Sequence, residues 1–417
     1  MEIKFMKTRH LKYIFARYYK KPSIYEPPEF DKREFAFVYF ENPDSMQRHM
    51  GFSSLEELMI HIEQKIPRHV YYSSAIYEYP SAVNMNEKEW LGAELVFDID
   101  VDHIDTPCKK LHDRWICLDC GANGWGLAPQ ACYKCGSERI RKETWVCETC
   151  ISVAKDESLK LIDFLISDFG FRKNELLIVF SGHRGFHIHI YNEKILELNQ
   201  EARREIADYV RGIGINYKMF IPVKGSLIKP YNPDFWDPAW LGRVSRALYN
   251  LFTSINLEEN LKKTGIADRT IKKISSLKQE IIKKLEEKPP NWNYLSKVID
   301  ENTWEIIFHK IAEEEGAKID ERVTIDIKRL IRLPGSLHGK TGMKVSKIDY
   351  HGLENFDIRK HAVVFADNLV KVDIKNPPQK ILDVLLEAKK GVVKVPYYIY
   401  VYLLANGAEV RMIKSTS

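Results

Sequence analysis

Leu91-Gly-Ala-Glu-Leu-Val-Phe-Asp-Ile-Asp-Val-Asp102 is the stretch on which the reading of this chain turns. It is apolar at its start and then alternates apolar and acidic residues, which predicts a β-strand with one polar face. Side chains two apart on a strand share a face, so Asp98 and Asp100 project together while Phe97 and Ile99 pack behind them. Carboxylates that close repel one another unless a cation neutralises them, and oxygen ligands of this kind suit Mg²⁺ or Mn²⁺. The plain alternative is a half-solvated strand whose outer face is acidic. Asp102 and Asp105 continue the acidic run toward a cysteine-rich loop.

Downstream, Ser152 to Phe169 has helical apolar spacing. A strand pair follows: Leu176 to Phe180, a turn at Ser181-Gly-His-Arg-Gly185, then Phe186 to Tyr191. The two glycines allow a tight turn and close approach of backbone to a ligand. Arg184 offers a fork of donors that matches phosphate oxygens. His187 and His189 share one strand face, opposite Phe186, Ile188 and Ile190. The alternative is an ordinary hairpin with exposed histidines.

Residues 200–305 are Lys/Glu-rich, with helical spacing from Ile271 to Leu285 and breaks at Pro230, Pro233, Pro238 and Pro289-Pro290. They read as a helical subdomain inserted into an α/β part, which returns with Thr324 to Leu333, a Pro-Gly turn and the stretch from Met343 onward.

All seven cysteines lie between Cys108 and Cys150. Disulfide frameworks spread their cysteines and come in even numbers, so the cluster reads as metal ligands. Cys117-x₂-Cys120-x₁₁-Cys132-x₂-Cys135 is close to a zinc-ribbon pattern, and four thiolates close the shell of a structural zinc. Cys108, His112, Cys147 and Cys150 make a candidate second site that brackets the first. A competing pairing joins Cys117 and Cys120 to Cys147 and Cys150.

The chain has 417 residues, room for about three domains at ~150 residues each. Its 45% hydrophobic and 29% charged content excludes disordered and collagen-like classes. Val395 to Ala405, with four tyrosines and a proline, falls short of the about 20 apolar residues of a membrane span and reads as a buried strand or helix. The first ten residues carry no apolar run behind their charges, so a cytoplasmic protein is expected. A net charge of +5 permits a polyanionic partner only if the basic residues converge on one site.

Taken together, Val96-Phe-Asp-Ile-Asp100, Ser181-Gly-His-Arg-Gly-Phe-His187 and Arg329-Leu-Ile-Arg-Leu-Pro-Gly-Ser-Leu-His338 resemble the motifs of the catalytic small subunit of archaeal and eukaryotic DNA primases. The resemblance spans roughly residues 30–370, and each motif alone is weak. It implies an α+β fold: a mixed-sheet catalytic core with an inserted zinc-binding module and a helical subdomain. The expected division is core at 1–107, 151–200 and 311–417, zinc module at 108–150 and helical insert at 201–310. By resemblance Asp98 and Asp100 are metal ligands, and the third family carboxylate lands on Asp320, with Asp326 as rival. Ser181, Arg184 and His187 resemble residues that hold an incoming triphosphate, Arg332 and His338 complete that pocket, and Arg48 resembles a further phosphate contact. His183 stands where the family often has a basic residue. The implied cofactors are Mg²⁺ or Mn²⁺ and Zn²⁺. The implied partners are nucleoside triphosphates, a single-stranded DNA template and a large regulatory subunit, with no membrane. Other readings are a stand-alone primase-polymerase in repair, or a zinc-ribbon nucleic-acid-binding protein without catalysis.

Overall fold

A computed structural model describes residues 2–221, 230–375, 377–386 and 391–413. The chain divides into two compact units: Met1–Ser158 with Asn174–Arg203 and Asp320–Ser417, and Leu159–Lys173 with Arg204–Ile319.

The first unit is built on two four-stranded sheets. One runs in the order Leu330–Arg332, His69–Ser73, Phe35–Val38, Met46–Met50, and the other Ser346–Ile348, Leu176–Phe180, Gly185–Ile190, Leu95–Asp100. Every named ladder among the described residues is antiparallel. The fold is thus α+β as expected, but the mixture is of helix with sheet and not of strand directions. The hairpin forms as read, with Phe180 opposite Phe186 and Val179 opposite His187. All six residues of Gly185–Ile190 are buried, so it is not a hairpin with exposed histidines.

The carboxylate stretch departs from one continuous strand. Trp90–Ala93 pairs with Ala75–Tyr77, Leu95–Asp100 joins the hairpin, and Val101–His103 is a 3₁₀ turn. The break falls at Glu94. Its N–H donates to the Ser74 carbonyl at 2.9 Å, while its buried carboxylate pairs with Arg33 at 2.7 Å and His189 at 2.9 Å. A charge that deep requires such partners, and meeting them turns the chain from one ladder to the next.

Val392–Pro396 is a strand that leads into helix Tyr397–Ala405, every residue of which from Tyr398 onward is buried. An element apolar all round belongs inside a core. Residues 114–143 form a small separate sheet in the order Asn123–Trp125, Arg114–Cys117, Ile140–Glu143. Among the described residues no helix is long and apolar enough to cross a membrane.

The second unit is helical. Ala239–Thr253 and Glu301–Glu315 are its longest helices that lie wholly within it, and Trp292, Trp304 and Phe252 are among its buried side chains. The expected helix over Ile271 to Leu285 is two helices, Asp268–Ser276 and Lys278–Leu285, separated at Leu277. Of the expected helical insert, residues 222–229 lie outside the described residues.

Candidate active site and metal-ligand clusters

Antiparallel pairing sets Asp98 opposite His187 and Asp100 opposite Gly185. A Cβ at position 185 would overlap the Ile99 carbonyl oxygen, so only glycine lets the hairpin lie this close to the carboxylate strand. His187 Nε2 is 3.7 Å from Asp98 Oδ1. Asp320 joins from the start of helix Glu321–Ile325: its N–H donates to the Asp98 carbonyl at 2.8 Å, and its carboxylate caps the helix by accepting from Arg322 N–H at 3.1 Å. Burial pushes the Asp98 carboxyl up to about 7, and the charges of Asp100 and Asp320 add to the shift against the pull of Arg332 and Arg329. Asp100 is raised too, by burial and then by Asp102. The rival Asp326 instead caps the far end of that helix, accepts from Lys328 N–H at 2.9 Å, and exerts its charge on Tyr77 and Arg203.

Cationic and imidazole groups collect on the neighbouring segments. The His338 ring lies 5.0 Å from that of His69 and 5.2 Å from that of His183, which it stacks against. Thr341 Oγ1 donates to the Gly182 carbonyl at 2.6 Å and so ties this loop to the hairpin turn. Gly182 has φ +79°, and a Cβ there would stand 2.7 Å from that of His338. Arg332, on strand Leu330–Arg332, lies over the Tyr71 ring at 5.4 Å. Burial holds His69, His187 and His338 well below the usual imidazole range, with Arg332 among the further causes for each. His183 is lowered to about 3 by burial and then by Arg184. Among the described residues, four buried nitrogens here have no hydrogen-bond partner: Arg329 Nε, Arg332 Nε, His183 Nε2 and His187 Nδ1. Buried donors are rarely left so, and this set suits an anionic ligand.

Sequence reading missed Arg329, His69 and Lys340 as members of this group; Lys340 N–H donates to His338 Nδ1 at 3.3 Å, and its charge acts on His69, His183 and His338. Arg329 stood inside a quoted motif. His69 carried no signal, because its contact to Gly339, whose N–H donates to His69 Nδ1 at 3.3 Å, spans 270 residues.

Three expected residues are placed otherwise. Arg184 is buried and faces inward: Nε donates to Asp102, Nη1 donates to both Asp113 oxygens at 3.0 Å and to the Trp145 carbonyl at 3.1 Å. Neighbouring turn residues diverge, so His183 and not Arg184 stacks on His338. Arg48 makes a forked pair with Glu34 at 3.0 and 3.4 Å, in a group with buried Lys88. Ser181 is buried, its N–H donates to the Gly185 carbonyl at 3.0 Å, and its Oγ accepts from His183 N–H at 3.4 Å. His189, which shares the strand face of His187, is held by Glu94 at 2.9 Å and Tyr72 at 3.3 Å.

The cysteines form two groups, Cys117 with Cys120, Cys132 and Cys135, and Cys108 with His112, Cys147 and Cys150. Within each group the ligand atoms lie within 4.8 Å of one another, so the competing pairing is not the one adopted. Sulfur separations are 3.6 Å for Cys117–Cys135, Cys120–Cys132 and Cys108–Cys150. A tetrahedral shell with metal–sulfur bonds of about 2.3 Å separates sulfurs by about 3.8 Å, so both groups are compatible with zinc. His112 turns Nε2 to Cys150 Sγ at 3.4 Å and Nδ1 to Asp113 Oδ1 at 2.8 Å, the arrangement of a metal-bound imidazole oriented by a carboxylate. These are the two groups of three or more such ligands that converge so closely among the described residues; Asp98, Asp100 and Asp320 do not.

A family model described as DNA primase small subunit matches residues 134–348. The chain is 33% identical to the DNA primase small subunit PriS of Methanosarcina acetivorans, over 96% of this chain and 95% of that one. It is 35% identical to the protein of that name from Methanococcoides burtonii, over 97% and 98%, and 30% identical to that from Nitrosopumilus maritimus, over 97% of each. This chain belongs to the DNA primase small subunit family.

Proposed function

We propose that the chain is the catalytic subunit of a DNA primase, a DNA-directed nucleotidyltransferase that builds short primers from nucleoside triphosphates on single-stranded DNA. The observation that carries this is one surface with two characters: Asp98, Asp100 and Asp320 on one side, and unpartnered Arg329, Arg332, His183 and His187 nitrogens on the other. A nucleoside triphosphate with its divalent cations has that polarity.

Asp98, Asp100 and Asp320 would hold Mg²⁺ or Mn²⁺, since all-oxygen donors suit hard cations. Held by these three carboxylates, such ions would supply the positive charge that activates an attacking 3′-hydroxyl and stabilises a leaving pyrophosphate. Arg332 and Arg329 supply permanent charge to the β- and γ-phosphates. His338, His183 and His187 begin neutral and donate through ring N–H groups without leaving buried charge when the site is empty. Ser181 sets the turn that presents His183. Arg48, occupied by Glu34, stays outside this set. The two cysteine groups would hold zinc in closed shells, a structural part with no position for a reacting water. A large regulatory subunit completes initiation in this reading.

The test is labelled-nucleotide incorporation on unprimed single-stranded DNA, with and without the large subunit. Mg²⁺- or Mn²⁺-dependent product that is lost in Asp98→Asn supports the reading. Template-independent or cation-independent product, or none with the partner present, overturns it.

A further inference from the structure

We propose that the outer Cys₃His group is a strut for the active-site hairpin, and that Arg184 is the positioning residue through which it acts. The inference rests on reading the Asp98 surface as catalytic, although two of its three tests do not.

A chain of buried polar contacts runs from the cysteines to the carboxylates. His112 offers Nε2 to the cysteine group and bonds Asp113 through Nδ1 at 2.8 Å. Asp113, almost fully buried, also accepts from Trp145 N–H at 3.1 Å and from Arg184 Nη1 at 3.0 Å through both oxygens. Trp145 lies two residues before Cys147 and takes a bond from the same Nη1 through its carbonyl, at 3.1 Å. Beyond Arg184, Nε reaches Asp102, whose N–H donates to Asp100 Oδ1 at 2.8 Å. The Arg184 carbonyl accepts from Val101 N–H at 3.3 Å, next to Asp100.

Each link is directional. A carboxylate bonded to Nδ1 fixes the imidazole tautomer and leaves Nε2 free for a metal. A guanidinium held by two carboxylates has its planar fork set on both sides, which a swinging phosphate clamp would not. Zinc in the outer group would therefore fix His112, and through Asp113 would fix the turn that carries His183 and the end of the strand that carries Asp100. Losing Asp113 leaves Arg184 buried with one partner fewer, a loss that buried ion pairs transmit strongly.

Three measurements on the full chain decide this. Zinc affinity is read by competition with a colorimetric chelator: Asp113→Asn should weaken one of two zinc sites about 10–100-fold and leave the other unchanged. Hydrogen exchange of the peptide covering 181–187 should rise in Asp113→Asn and in Cys150→Ser, and stay at the wild-type level in Cys132→Ser. Nucleotide kinetics of Arg184→Lys should show a lower kcat with nearly unchanged KM for nucleotide. If Cys150→Ser fails to fold, Asp113→Asn carries the first two tests alone. Wild-type zinc affinity and wild-type hairpin exchange in Asp113→Asn would overturn the strut. A raised KM with unchanged kcat in Arg184→Lys would overturn the positioning role and return Arg184 to the phosphates. Because zinc affinity and exchange do not need turnover, an inactive wild-type protein would sink the primase reading without touching them.

Discussion

Asp98 and His187 face each other across an antiparallel ladder, with His187 Nε2 3.7 Å from Asp98 Oδ1. One is a carboxyl pushed up to about 7 and the other an imidazole held well below its usual range, so burial disfavours charge on both at once. A divalent cation beside Asp98 and a phosphate beside His187 would relieve both.

Asp98→Asn and Asp100→Asn each remove a charge at nearly constant volume. Loss of metal-borne charge stabilisation worth several kcal/mol should lower primer synthesis by about 100-fold or more. Circular dichroism should show an intact fold. Asp320→Asn should behave the same way, while Asp326→Asn should retain most activity. A primer-extension assay separates Asp326→Asn from the other three.

The pH dependence of cation-free stability follows from the raised Asp98 carboxyl. A group that binds its proton more tightly folded than unfolded contributes stability at low pH that is lost as pH rises from about 4 toward 7. The neutral histidines His69, His187 and His338 act oppositely: their contribution is present above about pH 6.5 and is lost as pH falls below it. In Asp98→Asn only the first effect disappears. Thermal melts in chelator should therefore find the variant more stable than wild type at pH 8 and nearly equal to it at pH 4. Mg²⁺ should raise the wild-type melting temperature more at pH 8 than at pH 5.5.

Arg332→Gln and His338→Ala should reduce kcat/KM for nucleotide by about 10–100-fold, as expected of contacts that strengthen as charge develops on the phosphates. His189→Ala should leave nucleotide kinetics near wild type. It should cost about 1–3 kcal/mol of stability, because it strips a partner from buried Glu94. Steady-state kinetics and urea melts together distinguish these outcomes.

Two filled cysteine groups predict two zinc ions per chain in protein washed free of magnesium. Cys132→Ser should lose one and Cys150→Ser the other, measured by elemental analysis. In Cys132→Ser, Mg²⁺ should still raise the melting temperature, since the carboxylates are a separate, oxygen-donor site.

Much of this arrangement could be read before the structure, and for a physical reason. The two-residue period of Phe97 and Ile99 against Asp98 and Asp100, the glycine-bounded turn at 182–185 and the Cys-x₂-Cys spacings are local patterns with local causes. What escaped reading depends on distant partners. The break at Glu94 requires Arg33 and His189, and His69 enters the site only because Gly339 folds back on it. Arg184 carried the right chemistry for phosphate, but Asp102 and Asp113 reach it first. No periodicity in the sequence announces such competition.

The central claim is that the carboxylates and the basic group form one cation-dependent nucleotide site. Calorimetric titration of a non-hydrolysable nucleoside triphosphate, with and without Mg²⁺, tests it most directly. In wild type, Mg²⁺ should tighten binding by about 10-fold or more, the size of a typical coupling free energy. In Asp98→Asn that enhancement should vanish, while in Arg332→Gln binding should weaken at both Mg²⁺ levels. An undiminished Mg²⁺ enhancement in Asp98→Asn would contradict the account.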